Sequence, residues 1–232
     1  MTSASMTRIP LFRALIIGTA LGLAFLTGCS NLETALTGRP YNVVAYKPRN
    51  PENVRVKVSL QNRMVYVMEG SRPLLVTPTT IGKPGAVTPT GSFRVTGKIR
   101  DKRSNTYGFW ARGNDIRPGT SNRAPGSGYH YVGYPMAYWV EFKPAYGFHQ
   151  GAVWPIPHSH GCLRLHPNAA PKFFALVHIG TPVSIAQTQP EDATVGKNAP
   201  RPQDYKDPDP PASYMISSRV FAPPPGPLLV TQ

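Results

Sequence analysis

Acidic side chains are scarce in this 232-residue chain: 11 Asp and Glu stand against 25 Lys and Arg, a formal net charge of +14. Cysteine is scarcer still, with only Cys29 and Cys162. Two cysteines exclude a disulfide framework beyond one bridge, and they lack the paired spacing of a zinc site. Long apolar runs are also missing. The most apolar stretch, Ala14 to Phe25, falls short of the roughly 20 residues that span a bilayer. Proline, by contrast, is abundant at 27 residues.

The apolar stretch follows Arg8 and Arg13 and ends in Leu26-Thr27-Gly28-Cys29. A basic n-region, a short h-region and small residues before a cysteine read as a processing signal. This resembles the bacterial lipobox, which implies a lipid on Cys29 as the new N-terminus. Ser30 at the next position implies the outer membrane of a diderm bacterium, facing the periplasm. With Cys29 lipidated, Cys162 has no disulfide partner and is left as a lone thiol.

The basic excess sits in the middle of the chain. Residues 53–187 hold 16 Lys and Arg against 4 Asp and Glu, whereas 188–232 hold 4 against 5. A basic domain can bind nucleic acid, but the export signal points instead to an anionic envelope polymer or a substrate rich in carboxylates. Four segments follow: a signal peptide at 1–28, a tether at 29–52, a folded domain at 53–187, and a tail at 188–232. The tail carries ten prolines and is expected as an extended or disordered arm.

The domain reads as mainly β. Val54 to Leu60 alternates apolar and polar, and Met64–Met68, Leu74–Ile81 and Ser92–Thr96 follow as strands. Ala137–Phe142 alternates again, and Thr181–Ile185 reads as a last strand. Asn168–His178 has apolar residues at helical spacing. Residues 99–135 are rich in Gly, Arg, Asn and Tyr without periodicity, and are expected as a lid or binding loop.

The chemistry concentrates in His158-Ser159-His160-Gly161-Cys162-Leu163-Arg164-Leu165, with His149 thirteen residues before the cysteine. A cysteine becomes a strong nucleophile as thiolate, favoured by nearby positive charge or a histidine. Arg164 can hold a carboxylate by paired hydrogen bonds or brace the loop. A His/Cys metal site is disfavoured for want of a second cysteine.

Four elements in order resemble the L,D-transpeptidase catalytic domain (YkuD-like): the opening hairpin with Gln61 and Tyr66-Val67, the Thr88-Pro89-Thr90-Gly91-Ser92-Phe93 loop, Phe148-His149-Gln150-Gly151, and Ser159-His160-Gly161-Cys162-Leu163-Arg164. One departure is Gln150-Gly151, where many members carry Gly-Thr. The resemblance implies a single β-sandwich or barrel domain with one or two short helices. It implies Cys162 as nucleophile and His149 as base, oriented by a backbone carbonyl. Glu141 is the only acid near these motifs, in keeping with that. The backbone N–H groups of His160, Gly161 and Cys162 would form an oxyanion hole, and Ser159 and His160 would support the loop by hydrogen bonding. His158 and His166 are expected as flanking surface residues. The implied reaction is acyl transfer on peptidoglycan stem tetrapeptides with release of D-alanine. The acceptor is another stem peptide, an envelope protein or water. No cofactor, metal or nucleic acid is implied, and a monomer is expected. A non-catalytic wall-binding lipoprotein and an L,D-hydrolase remain as alternatives.

Overall fold

The structure is a computed structural model that describes residues 41–232. The signal peptide, the lipidation site Cys29 and the first part of the tether lie outside the described residues.

Twelve strands dominate the described residues. They are β1 (Val54–Ser59), β2 (Met64–Glu69), β3 (Arg72–Thr80), β4 (Gly91–Arg94), β5 (Gly97–Ile99), β6 (Arg103–Arg112), β7 (Asp115–Thr120), β8 (His130–Pro135), β9 (Trp139–Lys143), β10 (Tyr146–Gln150), β11 (Leu163–Leu165) and β12 (Pro182–Ala186). Nine form one sheet in the order β4-β12-β1-β2-β3-β11-β10-β9-β5, and the other three form a second sheet, β7-β6-β8. The large sheet curls on itself. Phe93, on its β4 edge, packs against Phe142 on β9, next to the opposite edge, with ring centroids 5.2 Å apart. The sheet thereby wraps one core, into which β1 points Val54, Val56 and Val58. Two α-helices stand among the described residues, α1 (Ala170–Leu176) and α2 (Ala212–Ile216). α1 contributes Phe173, whose ring lies 4.6 Å from that of Phe148.

The strands expected at 54–60, 64–68, 74–81, 92–96 and 181–185 all form, and so does the helix near 168–178. Residues 99–135 differ from expectation. They form the antiparallel lid sheet β6–β8, with Gly108 opposite Gly133 at its crossing. A Cβ on Gly133 would lie 2.0 Å from the Ser104 carbonyl oxygen, so these strands meet more closely than side chains allow.

Both flanking segments also differ. Within the expected tether, Val43 and Ala45 are buried and Tyr46 N–H donates to Leu74 O at 2.9 Å. The expected disordered arm at 188–232 is instead a packed strap. β2 is apolar on both faces because the strap covers the outer one: Val65 and Val67 enter the main core, while Met64, Tyr66 and Met68 pack outside it with Val76 and Ala199. Asp192 secures this contact. One of its carboxylate oxygens accepts from the Tyr66 hydroxyl at 2.6 Å, the other from Ser59 Oγ at 2.8 Å. Lys57 pairs with Glu191 at 2.6 Å. At the far end, Val230 bridges to Tyr46. The strap's regular structure is limited to the short α2 and single 3-10 turns, and isolated polar anchors hold it.

Candidate active site

β10 and β11 run parallel, with Phe148 opposite Leu163, His149 opposite Arg164 and Gln150 opposite Leu165. Side chains alternate along strands. Phe148, Leu163 and Leu165 are buried in the core, so His149 and Arg164 project together from the other face. Cys162 precedes β11 in phase with Arg164. All three line one cavity of about 580 Å³. Trp139 and Glu141 of β9 and Lys102, Ser104 and Tyr107 of the lid contribute to its lining.

The His149 ring is buried, and its Nδ1 lies 2.8 Å from Gln150 O. A carbonyl only accepts, so Nδ1 carries the hydrogen and Nε2 keeps the lone pair. Burial pulls the imidazole down to about 4, opposed by the Gln150 carbonyl and helped by the Arg164 charge. His149 is therefore neutral at physiological pH.

Burial pushes the Cys162 thiol up, against the Gly147 N–H and Arg164, which both favour the thiolate. Positive charge acts in the direction the sequence suggests, and burial outweighs it. The resting pair is a neutral thiol and a neutral imidazole.

The 158–162 loop is shaped by Ser159, which is buried. Its Oγ donates to Cys162 O at 2.6 Å and accepts from Gly161 N–H at 3.1 Å. Gly161 N–H is thus committed to Ser159. The N–H groups of His160 and Cys162 have no acceptor among the described residues. Gly161 has φ +110°, and a Cβ there would lie 2.6 Å from Tyr146 Cε1. Thr88, from the Thr-Pro-Thr-Gly element, ties the loop down: its Oγ1 donates to Gly161 O at 2.9 Å and accepts from Gly82 N–H at 3.0 Å.

The other histidines separate in role. The His160 ring has no hydrogen-bond partner among the described residues; it is exposed and stacks on Tyr107 of the lid at 4.8 Å. His158 is exposed and stacks on Trp154 at 4.2 Å. His166 is not a surface residue: it packs edge-on against Tyr41 and lies 3.1 Å from Asp204 of the strap. Arg164 forms no ion pair among the described residues, while its backbone carbonyl accepts from Thr79 Oγ1 at 2.9 Å.

Sequence reasoning missed the contributions of Thr88, Trp139, Lys102 and Tyr107. Trp139 had a signal, since it shares the phase of Glu141 in an alternating segment. Lys102 and Tyr107 fall in the segment read as a lid or binding loop, but no pattern singled them out within it.

Residues 53–185, more than half of the chain, match the family model described as the L,D-transpeptidase catalytic domain. The chain belongs to that family. Among solved structures, the L,D-transpeptidase from Stackebrandtia nassauensis is 19% identical, with a TM-score of 0.45 over 63% of this chain and 60% of that one. L,D-transpeptidase 1 from Mycobacterium tuberculosis is 22% identical, with a TM-score of 0.42 over 58% and 61%. The catalytic domain of the Enterococcus faecium L,D-transpeptidase is 24% identical, with a TM-score of 0.42 over 58% and 98%. The chain thus spans about three-fifths of the length of the first two. Comparison with curated protein sequences gives no match. The match to the family domain ends at 185, so the strap at 188–232 lies outside it.

Proposed function

We propose that this chain is a cysteine-dependent L,D-transpeptidase that acts on peptidoglycan stem tetrapeptides. The observation that carries the reading is the strand register that puts His149, Arg164 and Cys162 on one face and in one cavity. His149 Nε2 takes the Cys162 proton as the sulfur attacks the carbonyl carbon at the L-centre of the diamino acid residue. The new oxyanion accepts from the N–H groups of His160 and Cys162; one such donor is worth about 2.7–4 kcal/mol of barrier. The C–N bond to D-alanine then breaks, and the proton on His149 passes to the departing amine. A thioester remains on Cys162. An amine acceptor attacks it, gives its proton to the His149–thiolate pair, and leaves with the acyl group. Another stem peptide gives a 3→3 crosslink, and a lysine of an envelope protein gives attachment to the wall.

Arg164 has no carboxylate partner among the described residues, which favours the substrate-holding role over the bracing one. A lipid on Cys29 would tether the domain to the periplasmic face of the outer membrane.

The full chain incubated with tetrapeptide muropeptides should release D-alanine, and Cys162→Ala should release none. Release that persists in that variant overturns the proposal. Mass spectrometry of the wild-type chain with a carbapenem should show an adduct on Cys162, which a non-catalytic wall binder would not form.

A further inference from the structure

The segment beyond the family domain meets the lid through one side chain. Arg103 opens β6, and its chain neighbours Lys102 and Ser104 line the cavity. Its Nη1 donates to Gly133 O of β8 at 2.9 Å and to Met215 O at 3.0 Å. Its Nη2 donates to Ile216 O at 3.2 Å and to Ser217 O at 2.9 Å. The guanidinium also lies over the Phe221 ring, 4.8 Å from the centroid. The three strap carbonyls are those at the end of α2, which a helix leaves without internal partners.

No carboxylate pairs with Arg103 among the described residues, so its charge is met by carbonyls, three of the four from the strap. The strap is itself fixed on both sides of this point. Upstream, Asp192 is bound to Tyr66 and Tyr205 packs on Trp154. Downstream, Val230 bridges to Tyr46. The lid in turn reaches the reactive loop, where Tyr107 stacks on His160.

We propose that Arg103 is a positioning residue, and that the strap at 188–232 uses it to set the lid at the working distance from Cys162. This rests on the reading of that cavity as the acyl-transfer site. Arg103 touches no reacting atom. It acts through β6, whose next residues form one wall of the cavity, and so governs how well a peptide is gripped more than how fast the held peptide reacts.

The test uses the full chain with Arg103→Gln, Arg103→Lys and Met215→Ala, the last loosening the same junction from the strap side. Hydrogen exchange is followed across 103–135, and KM and kcat are measured on a stem tetrapeptide. Loss of charge-assisted hydrogen bonds should speed exchange in β6 and β8 by about tenfold or more, with β1–β3 unchanged. KM should rise about tenfold while kcat changes by less than about threefold, and Arg103→Lys should recover part of both. Unchanged exchange with a raised KM would make Arg103 a substrate contact and overturn the proposal. Faster exchange with an unchanged KM would make the junction merely structural and overturn it too. A wild-type chain that releases no D-alanine refutes the enzymatic reading instead. The junction is then judged by exchange together with iodoacetamide alkylation of Cys162: faster in the variants supports it, unchanged refutes it.

Discussion

His149 Nδ1 sits 2.8 Å from the carbonyl oxygen of Gln150, the next residue of its own strand. The imidazole is therefore oriented by backbone, not by a carboxylate, in a domain that has few carboxylates to offer. Because the partner is a main-chain carbonyl, the side chain at 150 is free to vary, and the Gln150-Gly151 departure leaves the histidine's tautomer untouched.

His149→Ala should lower D-alanine release by about 10²–10⁴, the usual contribution of a positioned general base. Steady-state kinetics on the tetrapeptide checks this. A loss below about tenfold would assign the base elsewhere, and His160→Ala, made in parallel, would show whether that residue carries it.

Stability should fall as pH drops from about 6.5 to about 4. The folded chain keeps His149 neutral down to about 4, whereas the unfolded chain takes up the proton near 6.5. In that window the unfolded state binds more protons, so stability is present above it and lost on descending through it. The shift corresponds to about 3 kcal/mol at most. Urea unfolding at pH 7.5 and 4.5 should show the loss, and His149→Gln should flatten the difference. An equal slope in both proteins would mean that other groups set it.

Much of this site was legible in the sequence because reactive residue types are informative at close spacing: a thiol, imidazoles and a guanidinium stand within eight positions, and the alternation of β1 is plain. The place of the lid at 99–135 was legible, but its strands were not. β6 and β8 pair with each other through Gly108 and Gly133, and such strands show no apolar rhythm. The strap was hidden for another reason. Its anchors, Asp192 and the carbonyls that meet Arg103, lie 126 residues from Tyr66 and 112–114 from Arg103. One signal was present: Met64–Met68 is apolar without alternation, and a strand buried on both faces needs a cover.

Gly161→Ala should disable the reactive loop. The position has φ +110° and its Cβ would strike Tyr146. Strain of this kind costs about 1–3 kcal/mol, and relief would shift Cys162, the next residue. Activity should drop by at least about tenfold, with a lower Tm. Adding Tyr146→Ala removes the collision but not the backbone strain, so only partial recovery is expected. Full recovery would show that sterics alone reserve the site for glycine.

Asp192→Ala should destabilise the domain by about 1–3 kcal/mol, because it strips the acceptor from the Tyr66 and Ser59 hydroxyls beneath the strap. Tyr66→Phe should cost less, since no polar group is left behind on that strand. A double-mutant cycle in urea should give a coupling near the cost of the Tyr66–Asp192 bond. Strict additivity would mean that the strap's hold on β2 comes from the packing of Ala199 instead.

Arg164 separates two roles that its position allows. If it holds a substrate carboxylate, Arg164→Gln should raise KM by about 10–100-fold on a peptide with that carboxylate free, the range for a lost charged hydrogen bond. The same variant should discriminate little between wild-type-like rates on a peptide whose carboxylate is amidated, because the wild-type chain already lacks the contact there. Arg164→Lys should recover only part, since an ammonium cannot make the paired contact. If Arg164 braces the loop, both peptides should suffer equally and kcat should fall with KM unchanged. Its strand carbonyl is already fixed by Thr79 and the loop below it by Ser159 and Thr88, so the brace is supplied without the guanidinium and the first outcome is expected.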